Sequence, residues 1–181
     1  MGFRGKTLLP GAPVVGKTEA SGAGNAPVTA TLELSLASHQ NITMTVADKQ
    51  RQLVADLNLI ENPQERLAAV VDRARRHPPL PDADKSAAHR VTGCVSAVWI
   101  TGRREAGRLR LRCDADSPLV RGLVALLCEL YDDATPADIA ATEPQLYEET
   151  GLADLLSPTR LNGLRGVRAH IRRLAEQGAI A

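Results

Sequence analysis

Aromatic side chains are nearly missing from this chain: one tryptophan, two tyrosines and one phenylalanine amount to 2% of 181 residues. The core therefore has to be aliphatic, built from Leu, Val and Ala. Single-stranded nucleic acid, which is bound by stacking on rings, loses its platform. Net charge is missing too, since 22 Lys and Arg against 21 Asp and Glu leave +1. That balance argues against a general polyanion as partner. The three cysteines are odd in number and contain no C-x-x-C pair, which excludes a disulfide framework and a structural zinc site. A reducing cytoplasm is the expected compartment. No apolar run is long enough to cross a bilayer, and the amino terminus lacks the continuous apolar core of a secretory signal. The start Met1-Gly-Phe-Arg-Gly-Lys6 carries lysine where myristoylation needs Ser or Thr. Neither a membrane nor nucleic acid is expected as a partner.

What is present suits one soluble domain with length left over, at 44% hydrophobic and 24% charged residues. Residues 1–43 are rich in Gly, Pro, Ala, Ser and Thr without lasting periodicity, so a disordered tail is expected there. Within it Thr31–Leu36 alternates like a stray strand. The domain is expected over 44–181. From Ala47 to Ile60 the apolar spacing is helical, through Leu53 and Leu57. Asn62-Pro63-Gln64-Glu65 predicts a capping-box start to a second helix. His77-Pro78-Pro79 ends it. Val95 to Ile100 and Arg108 to Cys113 alternate as two strands, with the turn placed over Gly102–Gly107. Both faces of the first strand are expected to be covered. Ser117-Pro118 opens a buried helix to Tyr131, Thr135 opens a short one, and Ser157-Pro158 begins the last long helix, stopped by Gly178. Helices, a small antiparallel sheet, then helices make an α+β fold.

Cys94 is the strongest candidate for chemistry. It follows Gly93, which turns a chain sharply and leaves space beside the next side chain. A thiol presented at such a turn can be reached by a partner, although a free cysteine is more often a small buried hydrophobe. Cys128 lies in the buried helix. Cys113 ends a strand inward and reads as structural, with a place near Cys94 across the hairpin left open. A phosphatase loop needs arginine six residues after its cysteine, and Ile100 stands there. A hydrolase needs a base, and His77 and His89, the nearest in sequence, lie in no signature. Asp114 and Asp116 have helix capping as their ordinary explanation. Arg160, in the first turn of the last helix, opposes the dipole, which hints at an ion pair or a functional role.

Gly93-Cys94-Val95-Ser96-Ala97-Val98-Trp99 resembles the G-C-x-S-x-V-W signature of the SufE family of sulfur acceptor proteins. Leu80-Pro81-Asp82, the segment from Asp114 to Leu123, and Leu156-Ser157-Pro158-Thr159-Arg160-Leu161-Asn162-Gly163-Leu164 resemble further family motifs in the same order. The resemblance covers about Leu53 to Leu174. It implies a fold similar to the iron–sulfur scaffold proteins, with a small antiparallel sheet flanked by helices. It also implies a job: accepting persulfide sulfur from a cysteine desulfurase, stimulating that enzyme, and passing sulfur to iron–sulfur scaffold proteins. Cys94 would be the acceptor, with Asp116 and Arg160 matching residues near it. No cofactor of its own is implied, because the pyridoxal phosphate belongs to the desulfurase, and the chain would be a carrier rather than a stand-alone enzyme. The alternative is a non-catalytic interaction module of the same fold, with Cys94 structural.

Overall fold

A computed structural model describes residues Met44–Gln177. The expected tail, the alternation at Thr31–Leu36 and the Gly178 stop lie outside the described residues. Two helices come first, α1 (Val46–Asn58) and α2 (Pro63–Arg75). The Asn62 side chain caps α2 by accepting from the Gln64 and Glu65 amides. The reciprocal box expected there is found on α1 instead, where the Thr45 hydroxyl accepts from the Asp48 amide and the Asp48 carboxylate accepts from Thr45 N–H. After short 3-10 turns at Asp82–Asp84 and Ala87–His89 comes a hairpin of β1 (Val98–Glu105) and β2 (Arg108–Ala115). The remainder is helical: α3 (Pro118–Tyr131), α4 (Pro136–Ala141), α5 (Leu146–Glu149) and α6 (Pro158–Gln177). The fold is α+β, as expected.

The hairpin differs from the sequence reading in two respects. Its turn is two residues, Ala106 and Gly107, both at positive φ (48° and 80°), the twist that suits a tight antiparallel connection. Gly102 lies inside β1, opposite Leu111. A Cβ on Gly102 would sit 3.2 Å from the side chains of Leu109 and Leu174, so this glycine lets α6 pack closely on the strand. The strand also starts later than expected. Val95 is 86% exposed, and regular pairing begins at Val98 opposite Ala115. Val98 and Ile100 are buried while Trp99 is half-buried, so one face of β1 is fully covered rather than both. The core joins Val98, Ile100, Leu109 and Leu111 to Leu123, Leu126, Leu127 and Leu130 of α3 and to Val167 and Ile171 of α6. Two buried tyrosines close it, the Tyr131 hydroxyl donating to Thr142 O (2.9 Å) and Tyr147 to Leu123 O (2.8 Å).

Candidate functional site

Cys94 occupies the tip of a six-residue loop, 92–97, that is pinched shut at its base. Arg90 bridges Trp99 in antiparallel sense, the Val91 amide donates to Val98 O at 2.9 Å, and the Asp116 amide donates to Ala97 O at 3.2 Å. Val91 and Val98 bury their side chains beneath this base. Gly93 turns the chain at φ 87°, with open space where a Cβ would be. A side chain there would be strained by the backbone conformation rather than by a clash. The thiol therefore sits in a loop four residues ahead of the strand, not at the strand junction the sequence suggested.

The loop tip rests on α6. The Cys94 S–H donates to Gly163 O at 3.4 Å. A Cβ on Gly163 would lie 3.3 Å from Cys94 Sγ, and one on Gly166 would lie 3.1 Å from Thr92 O. Glycine inside a helix costs about 1 kcal/mol against alanine, so two of them one turn apart mark where the loop needs close approach. This feature was missed from sequence, although an unfavourable Gly-x-x-Gly in a long helix was its signal. Cys94 is half-buried, and burial pushes its thiol pKa up.

Beside Cys94 opens a cleft of about 240 Å³, walled by Val120, Leu123 and Val124 of α3 and by Leu164 and Val167 of α6. Ser157, Thr159 and Arg160 form its polar edge. Arg160 is exposed, and among the described residues no carboxylate pairs with it. An internal ion pair thus does not account for this cation in the first turn of α6. Cys94 and Arg160 are brought together. Asp116 holds the base of the Cys94 loop through its amide but does not line the cleft; it is exposed and lines a separate cavity with Val71, Pro118 and Arg121. No histidine lines the Cys94 cleft, and His89 Nδ1 is engaged with Asp84 O at 2.7 Å. The base that a cysteine hydrolase requires is absent from this site among the described residues.

Asp114 is the second residue the sequence misjudged. It is 5% exposed, and instead of capping α3 it gathers the neighbouring segments. It accepts from the Leu80 amide (3.2 Å) and the Ala115 amide (2.9 Å), and it pairs with Lys85 (3.1 Å) and Arg121 (3.3 Å). Burial pushes its carboxyl up, but Lys85, the Ala115 N–H and Arg121 more than offset this and hold it below the ordinary carboxylate range. Cys113 lies away from Cys94. It lines another cavity together with Cys128, one that shares no residue with the Cys94 cleft, which closes the question of a Cys94–Cys113 approach.

Fold and site together define a small α+β protein that presents one thiol from a closed loop beside an apolar cleft. The profile of the SufE family, described as the Fe-S metabolism associated domain, matches residues 51–175. The chain belongs to the SufE family. An uncharacterized SufE-like protein of Synechocystis sp. is 37% identical over 106 residues, which is 59% of this chain and 67% of that protein. The solution structure of a hypothetical protein from Thermus thermophilus shares the fold, with a TM-score of 0.60 at 22% identity over 71% of this chain and 94% of that one. Association with iron–sulfur metabolism follows from the family. No helix among the described residues is long and apolar enough to cross a membrane.

Proposed function

We propose that this chain is a sulfur acceptor that carries a persulfide on Cys94. A pyridoxal-phosphate-dependent cysteine desulfurase presents a persulfide on its own cysteine. The Cys94 thiolate attacks the outer sulfur, a new S–S bond forms on Cys94, and the partner's S–S bond breaks to release its thiolate. One thiolate enters and one leaves, so the step needs no oxidant and no second catalytic group. The desulfurase is thereby cleared for another turnover, and an iron–sulfur scaffold protein receives the sulfur. The pyridoxal phosphate stays with the partner, and the exchange belongs in the cytoplasm.

The observation that supports this reading best is a thiol at a loop tip, beside an apolar cleft and with no base in reach among the described residues. That arrangement is incomplete for a hydrolase and sufficient for a carrier. Two features of the resting site oppose reaction, the S–H bond to Gly163 O and the burial that raises the thiol pKa. Both are relieved if the loop lifts when the partner docks. The exposed Val95 offers that partner an apolar contact, and Arg160, which pairs with no carboxylate among the described residues, favours the thiolate once the sulfur leaves its bond.

Desulfurase turnover, read as alanine released from cysteine, tests the proposal. Adding the parent protein raises the rate, and adding Cys94→Ser leaves it at the level of the desulfurase alone. Stimulation by Cys94→Ser equal to the parent's overturns the acceptor reading and leaves the interaction module in its place.

A further inference from the structure

Sulfur acceptance through Cys94 leaves the other two cysteines unused, yet the fold sets them side by side. Cys113, opposite Ile100 in the hairpin register, points from β2 toward α3. Cys128 lies on α3 with only 5% exposure. The two thiols line the same cavity, one from the strand and one from the helix, and each shifts the other, Cys113 downward and Cys128 upward. They line a cavity of about 470 Å³ that shares no residue with the Cys94 cleft. Its polar wall includes Lys49, Arg73, His77 and Asp132. We propose that Cys113 and Cys128 are a dithiol modification site, which hydrogen peroxide closes to an intramolecular disulfide.

The order of events follows from exposure. Cys113 is partly exposed to the cavity and Cys128 is buried behind it, so a small oxidant meets Cys113 first. The neighbouring Cys128 thiol lowers the Cys113 thiol pKa against the effect of burial, with Arg121 assisting. The Cys113 thiolate attacks one peroxide oxygen, the O–O bond breaks, and hydroxide leaves, making Cys113 a sulfenic acid. The Cys128 sulfur then attacks the sulfenic sulfur, the S–O bond breaks, and the hydroxyl departs with a proton as water. Two thiols are oxidised and one peroxide is reduced to two waters. Cys94 is not placed to act as the resolving thiol, because its cleft shares no lining residue with this cavity. A partner's cysteine reaches a loop tip, whereas a cavity thiol is reached by small molecules, so the two sites answer different reagents.

Tryptic cleavage places the three cysteines on separate peptides, 91–103, 113–121 and 122–160. Parent protein is treated with hydrogen peroxide, blocked with iodoacetamide and digested without reductant. The expected product is a cross-link between peptides 113–121 and 122–160, lighter by two hydrogens than their sum. In Cys128→Ala the resolving thiol is missing, so dimedone present during oxidation traps the sulfenic acid on Cys113, and in the parent it does not. A cross-link that includes peptide 91–103 overturns the proposal. So does a Cys113 that ends as free thiol or sulfinic acid in the parent, or equal dimedone trapping in both proteins.

Discussion

Gly163 is disfavoured by its helix and required by its neighbour, and this conflict makes it the most informative single residue after Cys94. Alanine there gains about 0.5–1 kcal/mol of helix propensity and places a methyl 3.3 Å from Cys94 Sγ. The loop tip is the side that yields, because among the described residues Cys94 is tied to α6 by one weak S–H···O bond, while the helix is held by its own backbone ladder. Gly163→Ala is therefore expected to keep its Tm within about 4 °C of the parent while Cys94 alkylation by iodoacetamide becomes faster. Unchanged alkylation with a lowered Tm would show that the helix yields instead. Asp114 makes the second prediction at this scale. Its folded pKa lies below its unfolded value of about 3.9, so its stabilisation is present above that pH and is lost as pH falls through the folded pKa. Asp114→Ala leaves the buried Leu80 amide without its acceptor, which costs about 1–3 kcal/mol at neutral pH. The difference between mutant and parent should then shrink as the pH is lowered below about 4, as read by urea unfolding at several pH values.

Gly122 shows the same chemistry deciding the opposite way at the level of elements. A Cβ on it would lie 2.9 Å from Val71 Cα and 3.2 Å from Val71 N, backbone atoms that cannot turn aside. Helices α2 and α3 would have to separate, so Gly122→Ala is expected to cost about 1–3 kcal/mol, seen as a Tm several degrees lower. A neutral result would mean that the two helices can slide apart. Much of the element layout was legible in the sequence. Proline at the first helical position, preceded by Asn62, Ser117, Thr135 or Ser157, marks four helix starts with a physical signal. Cys94 was legible because Gly93 precedes it. The hairpin turn was not, because Gly102 and Gly107 offer the same flexibility, and only packing against Leu174 distinguishes them. The role of Asp114 was hidden for a similar reason. Its partners Leu80, Lys85 and Arg121 come from separate segments, while a strand-end aspartate before a helix already has a local explanation in capping.

For the whole molecule the three cysteines divide by access rather than by acidity. Cys113 has the thiol with the lowered pKa, yet it lies in a cavity beside Cys128. Cys94 has the raised pKa and the position at a loop tip. Sulfur transfer between two proteins requires the sulfurs to touch, and a raised pKa is reversible when a loop moves whereas a cavity wall is not. Under the proposed function, access favours Cys94 over the other two thiols as the persulfide carrier, and digestion decides it directly. The protein is incubated with a cysteine desulfurase and free cysteine, alkylated, and its tryptic peptides are weighed. One added sulfur is predicted on peptide 91–103 and on neither 113–121 nor 122–160. Added sulfur on the Cys113 or Cys128 peptide, or on none of the three while the desulfurase is still stimulated, would contradict the account.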